Sequence, residues 1–148
     1  MPIHPLTVHF PIAFLLLAGI LFTIELFTRQ TTHKTFAWIT LLAGVAGAAL
    51  AVVTGNMAMN GLVVNETIGE TVEQHELLAY LVLWLFGIFA VWGFLRRNAT
   101  VKAERIAFVL LFWLGIGLVA YTAHLGGTLV YELGAGVLPM ESVIESGK

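Results

Sequence analysis

The sequence contains no cysteine and no aspartate, and charged residues occupy only 11% of its 148 positions. The absence of cysteine excludes disulfide bonds, thiolate metal sites, iron–sulfur clusters and the thioether attachment of c-type haem. A soluble domain of this length carries about 25% charged residues. The net charge of −2 gives no basis for binding nucleic acid. Because 59% of the residues are hydrophobic, the composition predicts a small integral membrane protein.

Four apolar segments follow one another along the chain, each close to the about 20 residues that cross a hydrocarbon core. They predict an all-α integral membrane fold, with residues 1–148 forming a single four-helix up-down transmembrane bundle. The spans are expected at about residues 7–28, 35–54, 75–96 and 105–125, followed by a glycine-rich periplasmic segment at residues 126–148. Membrane lipid is therefore the first partner that the sequence predicts.

Six of the seven basic residues lie in the loops that follow the first and third spans. These residues are Arg29, Lys34, Arg96, Arg97, Lys102 and Arg105. By the positive-inside rule both loops are cytoplasmic, which predicts periplasmic termini for a protein in the inner (cytoplasmic) membrane of a bacterium. Glu25 is four residues before Arg29, so the two side chains are expected to pair along the first helix.

Three histidines are expected at one depth, near the periplasmic boundary of the membrane. His9, His75 and His124 lie 19 to 21 residues from the nearest basic residue of the cytoplasmic loops. At about 1.5 Å per helical residue, all three lie about 28–32 Å above those loops. His4 precedes His9 by five positions, about 140° around a regular helix, so the two are not expected to share a ligand. We predict that His9 faces the interior of the bundle and that His4 lies at its rim.

The stretch HLGGTLVYELGAGV, residues 124–137, is unlike an ordinary helix end. Gly126 and Gly127 follow His124 closely, and glycine permits positive φ angles and a close approach of the backbone. The segment is therefore expected to fold over the outer mouth of the bundle or against a flat ligand. A helix C-cap followed by an interfacial hairpin or short helix is the alternative.

Four features of the chain resemble one family of bacterial membrane proteins. They are HPLTVHFPIAFLLL at residues 4–17, TGN at residues 54–56, His75 at the start of the third span, and HLGGTLVYELGAGV. Across about residues 3–137 they are similar to the family classed as domain of unknown function 2231. The resemblance implies a four-helix membrane domain, of a kind sometimes joined to c-type cytochrome modules. It also implies a respiratory or redox setting, in which other subunits of a membrane complex, including a c-type cytochrome, are the expected partners.

A haem b site is the first of three functions that the histidines allow. Haem without cysteine needs axial side chains, and histidines on facing helices supply them in helical bundles. Spans 1 and 3 of an up-down bundle are diagonal, so His9 and His75 form the first expected ligand pair. His75 with His124 is the second expected pair. The edge of the site is then expected to include His4, Gly126 and Gly127.

The second function is a metal site in which His9, His75 and His124 hold Zn²⁺ or copper, with one position open. The third is a cofactor-free accessory or structural subunit of a respiratory membrane complex. The sequence has no serine-hydrolase, zinc-protease or phosphate-loop motif, and no internal repeat with broken mid-membrane helices is apparent, which disfavours a transporter. The sequence thus favours an electron-transfer or accessory subunit over a stand-alone enzyme, with haem b as the preferred cofactor.

Overall fold

The computed structural model describes residues 3–59, 66–96 and 101–135. These residues form five helices and no strand: α1 (His4–Thr7), α2 (His9–Thr28), α3 (Thr31–Met59), α4 (Glu66–Leu95) and α5 (Lys102–Tyr131). Four stretches are long and apolar enough to cross a membrane: His4–Thr28, Thr31–Met59, Ile68–Leu95 and Lys102–Tyr131. The all-α transmembrane fold predicted from the sequence is confirmed.

The first span consists of α1 and α2, separated at Val8. Pro11 has no N–H to donate to the Thr7 carbonyl, so the helical hydrogen-bond ladder has a gap at this point. Around the gap, the Val8 N–H donates to the His4 carbonyl at 3.2 Å, and the Ile12 N–H donates to the Val8 carbonyl at 3.4 Å. The gap separates a short first turn, which contains His4, from the main helix.

Helices that are consecutive in the chain are neighbours in the bundle. α2 packs against α3, α3 against α4, and α4 against α5, and α5 closes the ring against α2. The short α1 contacts α2 and α3. α2 and α4 are therefore diagonal, and so are α3 and α5. We call the end where α1 begins and α5 ends the histidine end, and the opposite end, with the loops after α2 and α4, the basic end.

Five phenylalanines pack against one another in the core of the bundle, with their ring planes edge to face or tilted. Phe86 and Phe112 are fully buried, with ring centres 5.0 Å apart. Phe22 lies 5.1 Å from Phe108 and 5.5 Å from Phe112, and Phe89 lies 5.3 Å from Phe112. Contacts of this kind contribute about 0.5–1.5 kcal/mol per pair beyond the burial of area. Trp38 of α3 lies 5.5 Å from Phe22, so all four spans contribute to this core.

The outer surface of the bundle is also strongly apolar. Large hydrophobic side chains such as Leu110, Trp84 and Leu114 are 61%, 70% and 72% exposed. On a protein in water, a continuous surface of this kind would be an interaction or aggregation site. Around helices that span a membrane, these side chains contact lipid.

Most of the helices extend beyond the apolar stretches that indicate the spans. α3 continues to Met59, α4 begins at Glu66, and α5 ends at Tyr131. Internal backbone hydrogen bonds hold a helix together whether its side chains are apolar or polar, so polar turns at the membrane boundary prolong it.

The glycine-rich stretch therefore begins as helix and not as a separate segment. Gly126 and Gly127 are both within α5. The chain turns after the helix at Gly134, which has a φ of 65°, and the Ala135 N–H donates to the Leu129 carbonyl at 2.7 Å. The rest of the predicted periplasmic segment, residues 136–148, lies outside the described residues.

Candidate functional site

His4 and His75 lie opposite each other at the histidine end. Their ring centres are 6.3 Å apart, and the two imidazole planes are nearly perpendicular, at 83°. His4 is in α1, at the start of the first span, and His75 is in α4, the diagonally opposite span. Both residues are half-buried. Two imidazoles from different helices therefore meet across the bundle.

The backbone of α5 holds the His75 ring. His75 Nδ1 lies 3.0 Å from the Thr122 carbonyl oxygen, and because a carbonyl only accepts, the ring N–H is the donor. In the neutral form of this tautomer the lone pair is on Nε2, the nitrogen through which the ring binds a metal. Gly126 is one turn after Thr122, and a Cβ there would lie 3.1 Å from His75 Cε1. The missing side chain at Gly126 lets the imidazole lie against the turn whose carbonyl it binds.

The His4 ring lies against α3 in a similar way. His4 Nδ1 is 3.2 Å from Thr54 Oγ1, and the Thr54 hydroxyl donates to the Ala51 carbonyl at 3.1 Å. The Thr54 hydroxyl also lies 2.8 Å from Thr7 Oγ1. With its proton on the Ala51 carbonyl, Thr54 Oγ1 is free to accept the Nδ1–H of His4, and we assign His4 the same tautomer as His75. A Cβ at Gly55 would lie 3.1 Å from His4 Cε1. Each histidine is thus supported by an oxygen and a glycine of the following span.

The predicted orientations of His4 and His9 are reversed in the structure. His9 is exposed, and its Nδ1–H donates to the Pro5 carbonyl at 2.6 Å. His4 precedes the buried Pro11 by seven residues and so shares its face of the helix. His9 precedes Pro11 by only two residues, which puts it about 200° away. The spacing from the buried Pro11 therefore predicts that His4 faces the interior of the bundle. Depth in the membrane does not distinguish His4 from His9.

His124 and Gly127 also lie apart from the histidine pair. His124 is exposed because it follows the buried Thr122 by two residues, about 200° around α5. A Cβ at Gly127 would meet open space. In the part of the chain that the structure describes, no group of three or more His, Cys, Asp or Glu side chains is arranged to hold a metal ion. His9, His75 and His124 therefore do not meet in the arrangement that a three-histidine metal site requires.

The residues that support the two rings were not identified from the sequence in this role. Thr54 and Gly55 belong to the TGN stretch at residues 54–56. This stretch indicated the family, but it did not indicate a contact with His4. A signal was available in the spacing, since Gly55 follows His4 by 51 residues and Gly126 follows His75 by 51 residues.

The basic end contains two ion pairs around a small cavity. Arg105 binds the Glu25 carboxylate at 2.9 Å, and Arg96 binds the Glu104 carboxylate with two hydrogen bonds of 2.6 Å. The cavity between the pairs has a volume of about 80 Å³ and is lined by four aromatic rings, by both ion pairs and by Lys34. Within residues 3–59, 66–96 and 101–135, every buried side-chain nitrogen and oxygen has a hydrogen-bond partner. Because these charged groups pair with each other, whereas two imidazoles from different helices meet at the histidine end, we take the histidine end as the candidate functional site.

Comparison with protein families agrees with this architecture. The family described as "Predicted membrane protein (DUF2231)" matches residues 1–139. Because the match covers nearly the whole chain, the chain belongs to this family, as its motifs indicate. No curated protein and no solved structure matches the chain.

Proposed function

We propose that this DUF2231 membrane protein is a b-type cytochrome-like electron-transfer subunit, with His4 and His75 as the two axial ligands of one haem b. The observation that carries the proposal is the opposed imidazole pair. Two imidazoles that would hold one metal ion between them need ring centres about 6 Å apart, from metal–nitrogen bonds of about 2 Å and about 1 Å between each nitrogen and its ring centre. The separation in the structure is 6.3 Å.

The donor set also suits haem iron. Two neutral imidazoles from diagonal helices are a common ligand pair for a haem that no cysteine attaches. His75 donates its Nδ1–H to the Thr122 carbonyl, and His4 Nδ1 lies 3.2 Å from Thr54 Oγ1, so each ring is oriented by an oxygen of a neighbouring helix.

Glycines let both histidine rings lie directly against the backbone of a neighbouring helix. α3 and α5 flank the line between the two rings, and they present Gly55 against His4 and Gly126 against His75. A larger residue at either position would push the ring away from its support. The haem supplies one-electron exchange when bound. The chain would hold and orient the two ligands from α1 and α4, at a half-buried place at the end of the bundle.

The proposal includes a location and a class of partner. Six of the seven basic residues follow the first and third spans, so the basic end is cytoplasmic and the histidine end faces the periplasm of a bacterium. A haem at that face of the inner membrane is accessible to a periplasmic electron carrier. We therefore propose a redox partner there, either a c-type cytochrome or another subunit of a respiratory complex.

The test is a reduced-minus-oxidised absorption spectrum of the purified protein, with a pyridine haemochrome assay of haem type. The expected result is a b-type spectrum with one haem per chain. A colourless protein, purified from the membranes of cells that make haem b, would overturn the proposal. That outcome would favour a cofactor-free accessory subunit.

A further inference from the structure

The two histidine–glycine pairs are related by one fixed shift along the chain. The residues of each pair are 51 positions apart, and a shift of 71 positions converts His4 and Gly55 into His75 and Gly126. A Cβ at Gly55 would lie 3.1, 3.4 and 3.7 Å from Cε1, Nδ1 and Nε2 of His4. A Cβ at Gly126 would lie 3.1, 3.6 and 3.9 Å from the same atoms of His75. The two rings therefore lie on their glycines in nearly the same way.

The same shift relates the cores of the two halves of the bundle. Seven of the ten buried residues of α2 and α3 have a buried counterpart 71 positions later, in α4 or α5. The pairs are Pro11 and Val82, Leu15 and Phe86, Ala18 and Phe89, Phe22 and Gly93, Leu41 and Phe112, Gly44 and Gly115, and Ala48 and Val119. Because one shift holds for both helices of each half, it relates two whole hairpins and not two single helices.

A helix–helix contact repeats as well. A Cβ at Gly44 of α3 would lie 2.6 Å from the Leu15 side chain of α2. A Cβ at Gly115 of α5 would lie 3.1 Å from the ring of Phe86 in α4. In each half, the first helix thus places a large apolar side chain against the same glycine of the second helix.

We infer that the bundle is two copies of one helical hairpin, α1–α3 and α4–α5, related by a pseudo-two-fold axis between His4 and His75. α2 and α4 run in the same direction, so the axis lies along the bundle, as in parallel repeats of membrane proteins. This inference rests on the proposed haem site for its consequence: Gly55 and Gly126 are equivalent positioning residues. They would give the cofactor two histidine ligands with equivalent support.

The repeat is hidden in the sequence because packing conserves position more than identity. Ala18 is the counterpart of Phe89, and Phe22 is the counterpart of Gly93, so a small residue in one half corresponds to a large one in the other. A core keeps its packing when the total volume of its side chains is kept, so a small residue in one half can be offset by a large one in the other.

The test compares Gly55→Ala with Gly126→Ala, using Gly127→Ala as the matched control, since a Cβ at Gly127 meets open space. The full chain is labelled with ring-¹⁵N histidine, and single histidine variants assign the signals. We expect Gly55→Ala to move the ring signals of His4, and Gly126→Ala to move those of His75 by a similar amount. Gly127→Ala should move neither. In the haem-loaded protein, the first two variants should shift the midpoint potential in the same direction and to a similar extent.

Three results would overturn the inference: a response in only one half, a response in neither, or an equal response to Gly127→Ala. If an alanine variant does not fold, the wild-type spectrum decides, because the repeat requires the same Nδ1–H tautomer for His4 and His75. A wild-type protein without haem but with matched histidine responses would refute the haem site and support the repeat. A protein that binds haem but shows unmatched histidine responses would support the haem site and refute the repeat.

Discussion

Arg105 of α5 binds Glu25 of α2, which lies 80 positions earlier in the chain. The guanidinium donates to Glu25 Oε2 at 2.9 Å and to the Glu25 carbonyl at 3.2 Å, and both side chains are less than 20% exposed. The pairing of Glu25 with Arg29 that their spacing indicates is therefore replaced by a pair between the two hairpins. Arg29 lies beyond the last residue of α2, where its φ of 53° ends the helix.

We expect Glu25→Gln to lower the free energy of unfolding by about 1–3 kcal/mol, because it leaves the largely buried Arg105 cation without its counter-ion. Unfolding in mixed micelles with increasing denaturing detergent measures this change. Glu104→Gln is the control, since its partner Arg96 has a side chain that is 55% exposed and solvated by water. Equal losses in the two variants would contradict the prediction.

The histidine variants should separate into two classes. His4→Ala and His75→Ala are expected to abolish the b-type spectrum, because each removes one of two axial ligands. His9→Ala and His124→Ala should keep the spectrum and the haem content, because both side chains are exposed and lie apart from the pair. Haem content per chain, measured on folded and monodisperse protein, is the readout. Loss of haem in His9→Ala with retention in His4→Ala would refute the proposed ligand set.

Thr54→Val should raise the midpoint potential of the haem. The substitution removes the oxygen that lies 3.2 Å from His4 Nδ1, which makes His4 a weaker donor and stabilises ferric iron less. Potentiometric titration followed by absorbance measures the shift. The matched control is Thr28→Val, which removes the hydroxyl 2.9 Å from His33 Nδ1 in the loop at the basic end and should leave the potential unchanged.

Gly44→Ala should destabilise the bundle by about 1–3 kcal/mol through overpacking. Its Cβ would lie 2.6 Å from Cδ2 and 2.8 Å from Cγ of Leu15, a side chain that is fully buried and has no room to move. Gly117→Ala should be neutral or stabilising by up to about 1 kcal/mol, because alanine favours the helix and its Cβ would meet open space. Detergent-induced unfolding of both variants gives the comparison, and a neutral Gly44→Ala would contradict the close contact.

The absence of native cysteine allows a direct test of orientation. Thr32→Cys places a thiol at the basic end and Glu132→Cys places one just beyond α5, both at exposed positions. A membrane-impermeant maleimide should label Glu132→Cys in intact spheroplasts, and Thr32→Cys only after the membrane is permeabilised, because basic loops stay in the cytoplasm. The opposite pattern would invert the proposed topology and move the histidine end to the cytoplasmic face.

The sequence by itself determines the class of fold and a large part of the candidate site. A chain with four long apolar stretches and few charges can satisfy its backbone hydrogen bonds within lipid only as helices or as a closed barrel, and the stretches have the length of helical spans. His75, His4 and Gly126 are predicted site residues that the structure brings together. The diagonal placement of spans 1 and 3 also follows from an up-down order with short connections.

Only the tertiary structure decided which face of each helix points inward. Depth depends on counting residues, which is possible from the chain alone, but one residue turns a helix by about 100°. Close packing of Pro11 and Leu15 in α2 and of Thr122 and Leu125 in α5 sets the rotation, so that His4 faces His75 while His9 and His124 are exposed. The repeated hairpin that we infer also depends on the tertiary structure, because buried positions recur after 71 residues while the residue types at those positions differ.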